Sequence, residues 1–225
     1  SQTSLTASLD YDLRWYEDRD QNEADHIQVA NLKVTHGFTE SLKLEVFERF
    51  VYAQEGTITM DGPVSTRTVL FTDADYARNT AGLTFKGFFG ERFGLEIGYK
   101  NELWDYEQDA ESGVLFNSSR SALLDRMDHL GTIEFLVRLS EPAIGLIGYK
   151  LGISQHTSDA DNVPVPVGPY IYQMASADFR DYLSHYAYVG IDYTFNPKLN
   201  ASLRVGAQIT DYVNVDDVES YSGYE

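Results

Sequence analysis

The sequence predicts an all-β fold, namely an antiparallel up-and-down β-barrel that crosses a membrane. Three observations lead to this prediction: apolar residues recur at every second position, the candidate strands are long, and short and long connections alternate between them. Side chains of a strand alternate between the two faces of its sheet. Strands in soluble sheets typically have ~5–6 residues, whereas a tilted strand that crosses a bilayer needs ~9–11.

The clearest alternation lies near the two ends of the chain. Apolar residues occupy the odd positions from Leu5 to Trp15, and polar residues occupy the even positions between them. The same pattern recurs over 199–210. An α-helix would distribute these apolar residues around its whole circumference. Both segments are therefore predicted to be strands.

Seven further strands follow from the same pattern, which makes nine in all. They are predicted at 26–36, 41–53, 78–89, 92–104, 129–139, 144–155 and 182–195. In the first of these, the phase of the alternation changes near Ala30 and Asn31, which predicts a β-bulge or a displaced strand boundary. No segment has the period of an α-helix of useful length.

The connections between the predicted strands alternate in length. Short turns are predicted at 37–41, 90–91, 140–143 and 196–198. Long segments are predicted at 16–25, 54–77, 105–128, 156–181 and from about 213 onward. We interpret 54–77 as a hairpin that rises above the barrel. This alternation is typical of a barrel with tight turns on one rim and long loops on the other.

The composition excludes several classes of function. The chain has no cysteine, so a disulfide framework, a thiolate metal site and a cysteine nucleophile are all excluded. Its formal net charge is −18. This acidic balance argues against nucleic acid as a partner, because phosphate binding needs a basic surface.

The acidic residues concentrate in the long segments. We therefore expect an acidic rim that is solvated or that holds divalent cations bridging to lipid headgroups. In one of these segments the acids alternate along the chain, which makes a candidate surface calcium site, although it lacks the glycine that an EF-hand loop has at its sixth position. Its residues are Asp105, Glu107, Asp109 and Glu111.

The apolar face of such strands could line the core of a soluble barrel or sandwich, or it could face lipid. The opposite face carries charges of both signs, which suits a water-filled or salt-bridged lumen and also suits an ordinary wet surface. The lumen-facing candidates are Arg14, Lys43, Arg49, Lys86, Glu96, Lys100, Glu134, Arg138, Asp192 and Arg204.

Aromatic residues near the strand ends favour the lipid alternative. Girdles of aromatic side chains mark the two membrane–water interfaces of transmembrane barrels. The residues predicted to form them are Trp15, Tyr52, Tyr99, Trp104, Tyr193, Phe195 and Tyr212.

Residues that could carry catalysis are few. Ser154 and His156 are followed by Asp159 and Asp161, but triads are defined by geometry, and chance proximity is the favoured interpretation. The other histidines, at 26, 36, 129 and 185, lack metal-ligand spacing, and structural or interfacial roles are expected for them. We expect neither an enzyme nor a bound cofactor.

Two hairpins resemble a known family. The stretch YLSHYAYVGIDYTFNPKLNASLRVGAQITDY (182–212) and, less closely, RMDHLGTIEFLVRLSEPAIGLIGYKLGI (126–153) are similar to the repeated hairpins of the β-barrel porin family of bacterial outer-membrane proteins. The resemblance implies an outer-membrane barrel of a Gram-negative bacterium, and passive diffusion of small solutes or ions. It carries over no catalytic residue.

The expected surroundings follow from this resemblance. They are outer-membrane lipid and lipopolysaccharide, with divalent cations at the acidic loops and other envelope proteins or further copies of the chain as partners. Two alternatives stay open, namely a non-conducting barrel that serves as an anchor or interaction protein, and a soluble ligand-binding β-barrel or sandwich. Bacterial single-chain barrels normally have an even number of strands. The odd count therefore leads us to expect one barrel domain over 1–225 with further strands C-terminal to it.

Overall fold

A computed structural model of the chain describes residues 2–17, 24–54, 75–107, 124–157, 163–168, 171–175, 177–213 and 221–224. These residues contain no α-helix, and a 3-10 helix spans Ala177–Arg180. The strands are β1 (Gln2–Trp15), β2 (Ala24–Gly37), β3 (Leu42–Ala53), β4 (Tyr76–Phe89), β5 (Phe93–Tyr106), β6 (Arg126–Arg138), β7 (Ala143–His156), β8 (Val163–Gly168), β9 (Ile171–Ala175), β10 (Tyr182–Asn196), β11 (Leu199–Tyr212) and β12 (Tyr221–Tyr224). No helix in the described ranges has the length and apolar character that crossing a membrane requires.

Nine long strands form one antiparallel up-and-down sheet. The order is β1-β2-β3-β4-β5-β6-β7-β10-β11, and β12 adds a short tenth strand beside β11. Each of the nine predicted strands overlaps one long strand, so the all-β, up-and-down prediction is confirmed. The sheet does not close within the described residues, because β1 pairs only with β2 and β12 pairs only with β11.

Two regions differ from the prediction. The long connection after β7 contains a separate two-stranded sheet of β8 and β9. The sequence of β8, Val-Pro-Val-Pro-Val-Gly, argues against a strand because proline has no N–H to donate to a neighbouring strand. In a two-stranded sheet, however, each strand has a free edge where no N–H is needed. β12 has only four residues, too few to show a period. The proposed hairpin over 54–77 lies mostly outside the described residues.

The predicted irregularity near Ala30 and Asn31 is wrong. β2 pairs with β1 and with β3 in continuous register through these positions. The phase of the pattern changes because Val29 lies on the otherwise polar face, where it pairs with Val51 of β3, which is buried. This apolar contact on the polar face therefore explains the change of phase, and no bulge residue is needed.

Local chemistry fixes the tight turns. Gly90, between β4 and β5, has a φ of 67°, a conformation that glycine adopts without a steric penalty. Between β10 and β11, the side-chain oxygen of Asn196 accepts a hydrogen bond of 2.9 Å from the backbone N–H of Lys198. The β10–β11 register shifts between Thr194 and Asn196, which places a bulge at this turn.

The register gives the sheet two distinct faces. The face that carries Leu9, Ile147 and Leu203, which we call the apolar face, is turned outward, and these side chains are 78%, 64% and 63% exposed. The opposite, polar face holds most of the buried residues, and we call it the inward face for that reason. A small apolar cluster lies on it, formed by Leu136, Leu146 and Tyr188 with Phe88, Ile144 and Tyr186 around them.

The close approach of β10 and β11 yields a stability prediction. A Cβ at Gly206 would lie 2.5 Å from the backbone oxygen of Ala187, whereas the nearest atom to a Cβ at Gly131 is the Leu151 oxygen at 4.0 Å. Gly206→Ala should lower the free energy of unfolding by about 1–3 kcal/mol. Gly131→Ala should change it by less than about 0.5 kcal/mol. Urea unfolding followed by tryptophan fluorescence measures both, and equal values would contradict the register.

Candidate functional site

The polar face gathers the charged residues that the alternation singled out. The register places all ten lumen-facing candidates on this one face. They are Arg14, Lys43, Arg49, Lys86, Glu96, Lys100, Glu134, Arg138, Asp192 and Arg204. The inward face of the sheet is therefore lined with both signs of charge from β1 to β11.

Four of these ten residues form two ion pairs between neighbouring strands. Lys86 Nζ lies 2.7 Å from Glu96 Oε2, directly across the β4–β5 ladder. Arg204 binds Asp192 through two parallel hydrogen bonds, with Nη1–Oδ1 at 2.7 Å and Nη2–Oδ2 at 3.1 Å. This two-point geometry is stronger and more specific than a single contact.

Glu102 of β5 contacts several side chains at the end of the sheet where the long connections lie. Its carboxylate lies 2.7 Å from Arg78 Nη2 and 3.2 Å from Lys100 Nζ, and it accepts a hydrogen bond of 2.9 Å from Trp104 Nε1. The Trp104 ring in turn lies between two guanidinium groups, at 4.3 Å from Arg78 and 4.8 Å from Arg126. Glu102 is buried, so its negative charge depends on these partners.

Sequence reasoning missed Arg78 and Arg126 as members of this group. Both lie at the ends of strands next to long connections, and β6 begins at Arg126, three positions before its predicted start at 129. Extending the alternation of β6 backwards would have placed Arg126 on the polar face. Arg78 is the first residue of the predicted strand 78–89, so the alternation alone places it on the polar face.

Other polar-face residues interact with rings or with the backbone. The Tyr188 hydroxyl donates to Glu134 Oε1 at 2.5 Å, and Lys150 Nζ lies 5.1 Å from the centre of the Tyr188 ring. Arg138 Nη1 donates to the backbone oxygen of Glu91 at 3.0 Å. Arg49 is exposed and forms no ion pair with any described residue, which makes it an uncompensated cation of this face.

The seven predicted girdle residues divide between the two faces. Five of them lie on the apolar face, namely Trp15, Tyr52, Tyr99, Tyr193 and Phe195. Trp104 and Tyr212 lie on the polar face, so the structure corrects their placement. Each has an even position in its strand, where a polar side chain was expected. The Trp104 indole donates to Glu102 and contacts two guanidinium groups, whereas the Tyr212 ring meets the Tyr182 ring edge to face.

A row of hydrogen-bonded pairs crosses the apolar face. The pairs Tyr11–His26, Tyr99–His129 and Tyr149–His185 join a hydroxyl to Nδ1 at 2.5, 2.7 and 2.6 Å. In the β3–β4 hairpin, Asn79 Nδ2 donates to Glu48 Oε1 at 3.0 Å. All four pairs are diagonal. The residue directly opposite the first partner lies two positions C-terminal to the second partner, as Gln28, opposite Tyr11, does relative to His26. The polar pairs therefore share one diagonal geometry, and their members on β2, β4, β6 and β10 are the third or fourth residues of those strands.

The residues predicted for a calcium site and for catalysis lie partly outside the described ranges. Asp109, Glu111, Asp159 and Asp161 lie outside the described residues. Glu107 Oε1 accepts a hydrogen bond of 2.6 Å from the Tyr52 hydroxyl, and no three His, Asp or Glu side chains in the described ranges are placed to hold a metal ion. His156 Nδ1 lies 3.0 Å from Asp181 Oδ1 rather than from Ser154.

Comparisons with protein-family models, with curated proteins and with solved structures found no match. The resemblance to β-barrel porins therefore stays a prediction.

The Glu102 group yields a prediction with a built-in control. Glu102→Gln removes the charge that Arg78 and Lys100 share, and should lower the free energy of unfolding by about 1–3 kcal/mol because two partly exposed cations lose the counter-charge of a buried carboxylate. Lys43→Gln breaks an exposed pair with Glu45, whose lysine side chain is 53% exposed. It should cost less than about 1 kcal/mol. Urea titration of both variants tests this, and a Glu102→Gln loss no larger than the Lys43→Gln loss would refute the role of Glu102.

Proposed function

We propose that this chain forms the wall of a porin-like β-barrel in a bacterial outer membrane, which lets small solutes or ions diffuse passively. One observation carries the proposal, namely that large apolar side chains point outward while paired charges point inward. A soluble domain buries its apolar side chains and rarely exposes an apolar patch above a few hundred Å². In lipid, exposing these apolar side chains carries no hydrophobic penalty.

Strand length supports the same reading. β4, β5 and β7 each contain 14 residues, whereas ~9–11 tilted residues suffice to cross the hydrocarbon core. The remaining residues extend each strand beyond the hydrocarbon core. The row of Tyr–His and Asn–Glu pairs on the apolar face suits an interface, where hydroxyl and imidazole groups meet lipid headgroups and water.

Conduction is supported by the charges of the polar face, and one observation favours a second candidate. Balanced, paired charges suit a water-filled lumen of weak selectivity, with Arg49 as a cation that forms no ion pair among the described residues. The apolar cluster of Leu136, Leu146 and Tyr188 occupies part of the same face. If it narrows the lumen to closure, the barrel is a non-conducting anchor that acts through its acidic loops.

The membrane position is tested with single cysteines, since the chain has none. Leu203→Cys lies on the apolar face of β11, and its neighbour Ser202→Cys lies on the polar face, where Ser202 donates to Asp192. In liposomes, a bimane on residue 203 should be quenched by brominated acyl chains, whereas a bimane on residue 202 should be quenched by aqueous iodide. Absence of acyl-chain quenching at 203 would indicate a soluble β protein.

Conduction is tested in planar bilayers. The purified chain should give discrete channels, and Arg49→Glu should shift the reversal potential in a salt gradient toward cation selectivity, because it replaces an unpaired cation by an anion. Lys198→Glu, in the turn between β10 and β11, is the matched control and should shift it little. A folded, membrane-inserted chain that gives no conductance would favour the anchor.

A further inference from the structure

A cavity of ≈ 370 Å³ lies on the polar face, where the ends of β6, β7, β10 and β11 approach the 3-10 helix. Its wall includes Arg126 and Asp128 of β6, Tyr182 of β10 and Arg180 of the 3-10 helix. The volume falls in the range of small-molecule sites, about 300–1,000 Å³. The cavity is separate from the ion pairs of the strand centres and from the apolar cluster.

Two buried atoms in this wall lack hydrogen-bond partners among the described residues. They are Nη2 of Arg180 and Oδ1 of Asp128. The other carboxylate oxygen of Asp128 accepts a hydrogen bond of 3.0 Å from Arg126 Nε. Leaving a buried polar atom unpaired is unfavourable, most of all for a charged group. Because one atom is a donor and the other is an acceptor, a ligand that satisfies both must offer an acceptor and a donor.

The two arginines of the cavity wall favour an anionic group. Burial of its guanidinium group, and next the nearby charge of Arg126, lower the pKa of Arg180, while Asp181 opposes this shift. Asp181 is itself engaged by His156, whose backbone N–H and Nδ1 lie 2.7 and 3.0 Å from its Oδ1. Two guanidinium groups beside one cavity match a carboxylate, which an arginine binds through two parallel hydrogen bonds.

The carboxylate and the tyrosines of the same wall favour a cation. The unpaired oxygen of Asp128 can accept from an ammonium group. The rings of Tyr182 and Tyr212 meet edge to face, with their centroids 6.1 Å apart. Aromatic faces attract ammonium groups through the ring quadrupole. A simple anion would leave the Asp128 oxygen unpaired, and a simple cation would leave Arg180 unpaired.

We propose that this cavity binds a free α-amino acid as its zwitterion. The carboxylate contacts Arg180 and Arg126, and the ammonium group contacts Asp128 and the tyrosine rings. The inference rests on the proposed diffusion function, since a solute reaches the cavity from the polar face. It names α-amino acids as a solute class that the barrel retains briefly at the end with the long connections.

The test is isothermal titration of the full chain in detergent micelles with three probes of similar size. L-Alanine has both charged groups, propionate lacks the ammonium group, and ethylamine lacks the carboxylate. L-Alanine should bind at least ~10-fold more tightly than either of the other two, because a site built for two hydrogen-bonding groups rejects a ligand that lacks one. Binding of propionate as tight as that of L-alanine would overturn the proposal, as would binding of none of the three.

Variants assign the two contacts. Arg180→Gln should weaken L-alanine binding at least ~10-fold, the loss of about one charged hydrogen bond. The matched controls, Arg92→Gln and Glu141→Gln, lie in exposed turns at the opposite end of the sheet and should leave binding unchanged. Equal loss in Arg180→Gln and Arg92→Gln would overturn the assignment.

Asp128→Asn provides a gain that misfolding cannot mimic. Its amide can donate to a carboxylate, so the preference for L-alanine over propionate should fall at least ~10-fold, with propionate binding more tightly than to the original chain. No such gain would overturn the role of Asp128. Binding in micelles requires no conduction, so a chain that binds L-alanine without conducting refutes the pore alone. A conducting chain that binds none of the probes refutes the cavity alone.

Discussion

The whole arrangement depends on neutralising charge on a face that is turned inward. A charge removed from bulk water is costly unless a partner of opposite sign lies within reach. Several neighbouring strands therefore match charges across their ladders, as Lys33 and Glu45 do across β2 and β3 and Lys86 and Glu96 do across β4 and β5. The pairing spans strand boundaries, so it fixes the register at the same time as it stabilises the buried charges.

The strands themselves could be predicted from the sequence because period-two alternation is a local property. Each strand needs only its own residues to separate an apolar from a polar face. The partners on the polar face could not be predicted, since they depend on register. Arg78 lies opposite Trp104 but binds Glu102, two positions away. Arg204 likewise lies opposite Gly190 and reaches diagonally to Asp192, over a position where a side chain would collide with it.

What the alternation failed to place has a common physical cause. Trp104 and Tyr212 are large and amphipathic, so their presence at a strand end does not reveal their face. Val29 is apolar but lies inward, because part of the polar face is packed with apolar groups. β8 and β9 form a hairpin outside the main sheet, where the pattern that marks a half-buried strand is not required. Near the ends of strands, burial depends on neighbours that are distant in sequence.

In the bilayer proposed above, the four polar pairs on the apolar face would limit how deeply the sheet can sit. Their members on β2, β4, β6 and β10 are the third or fourth residues of those strands, so they lie at similar height around the wall. Sliding the sheet toward the long connections would expose apolar rings to water, and sliding it the other way would draw hydroxyl, imidazole and carboxylate groups into hydrocarbon. Both displacements cost free energy. In the proposed bilayer, the row would set the depth of the wall and limit its tilt.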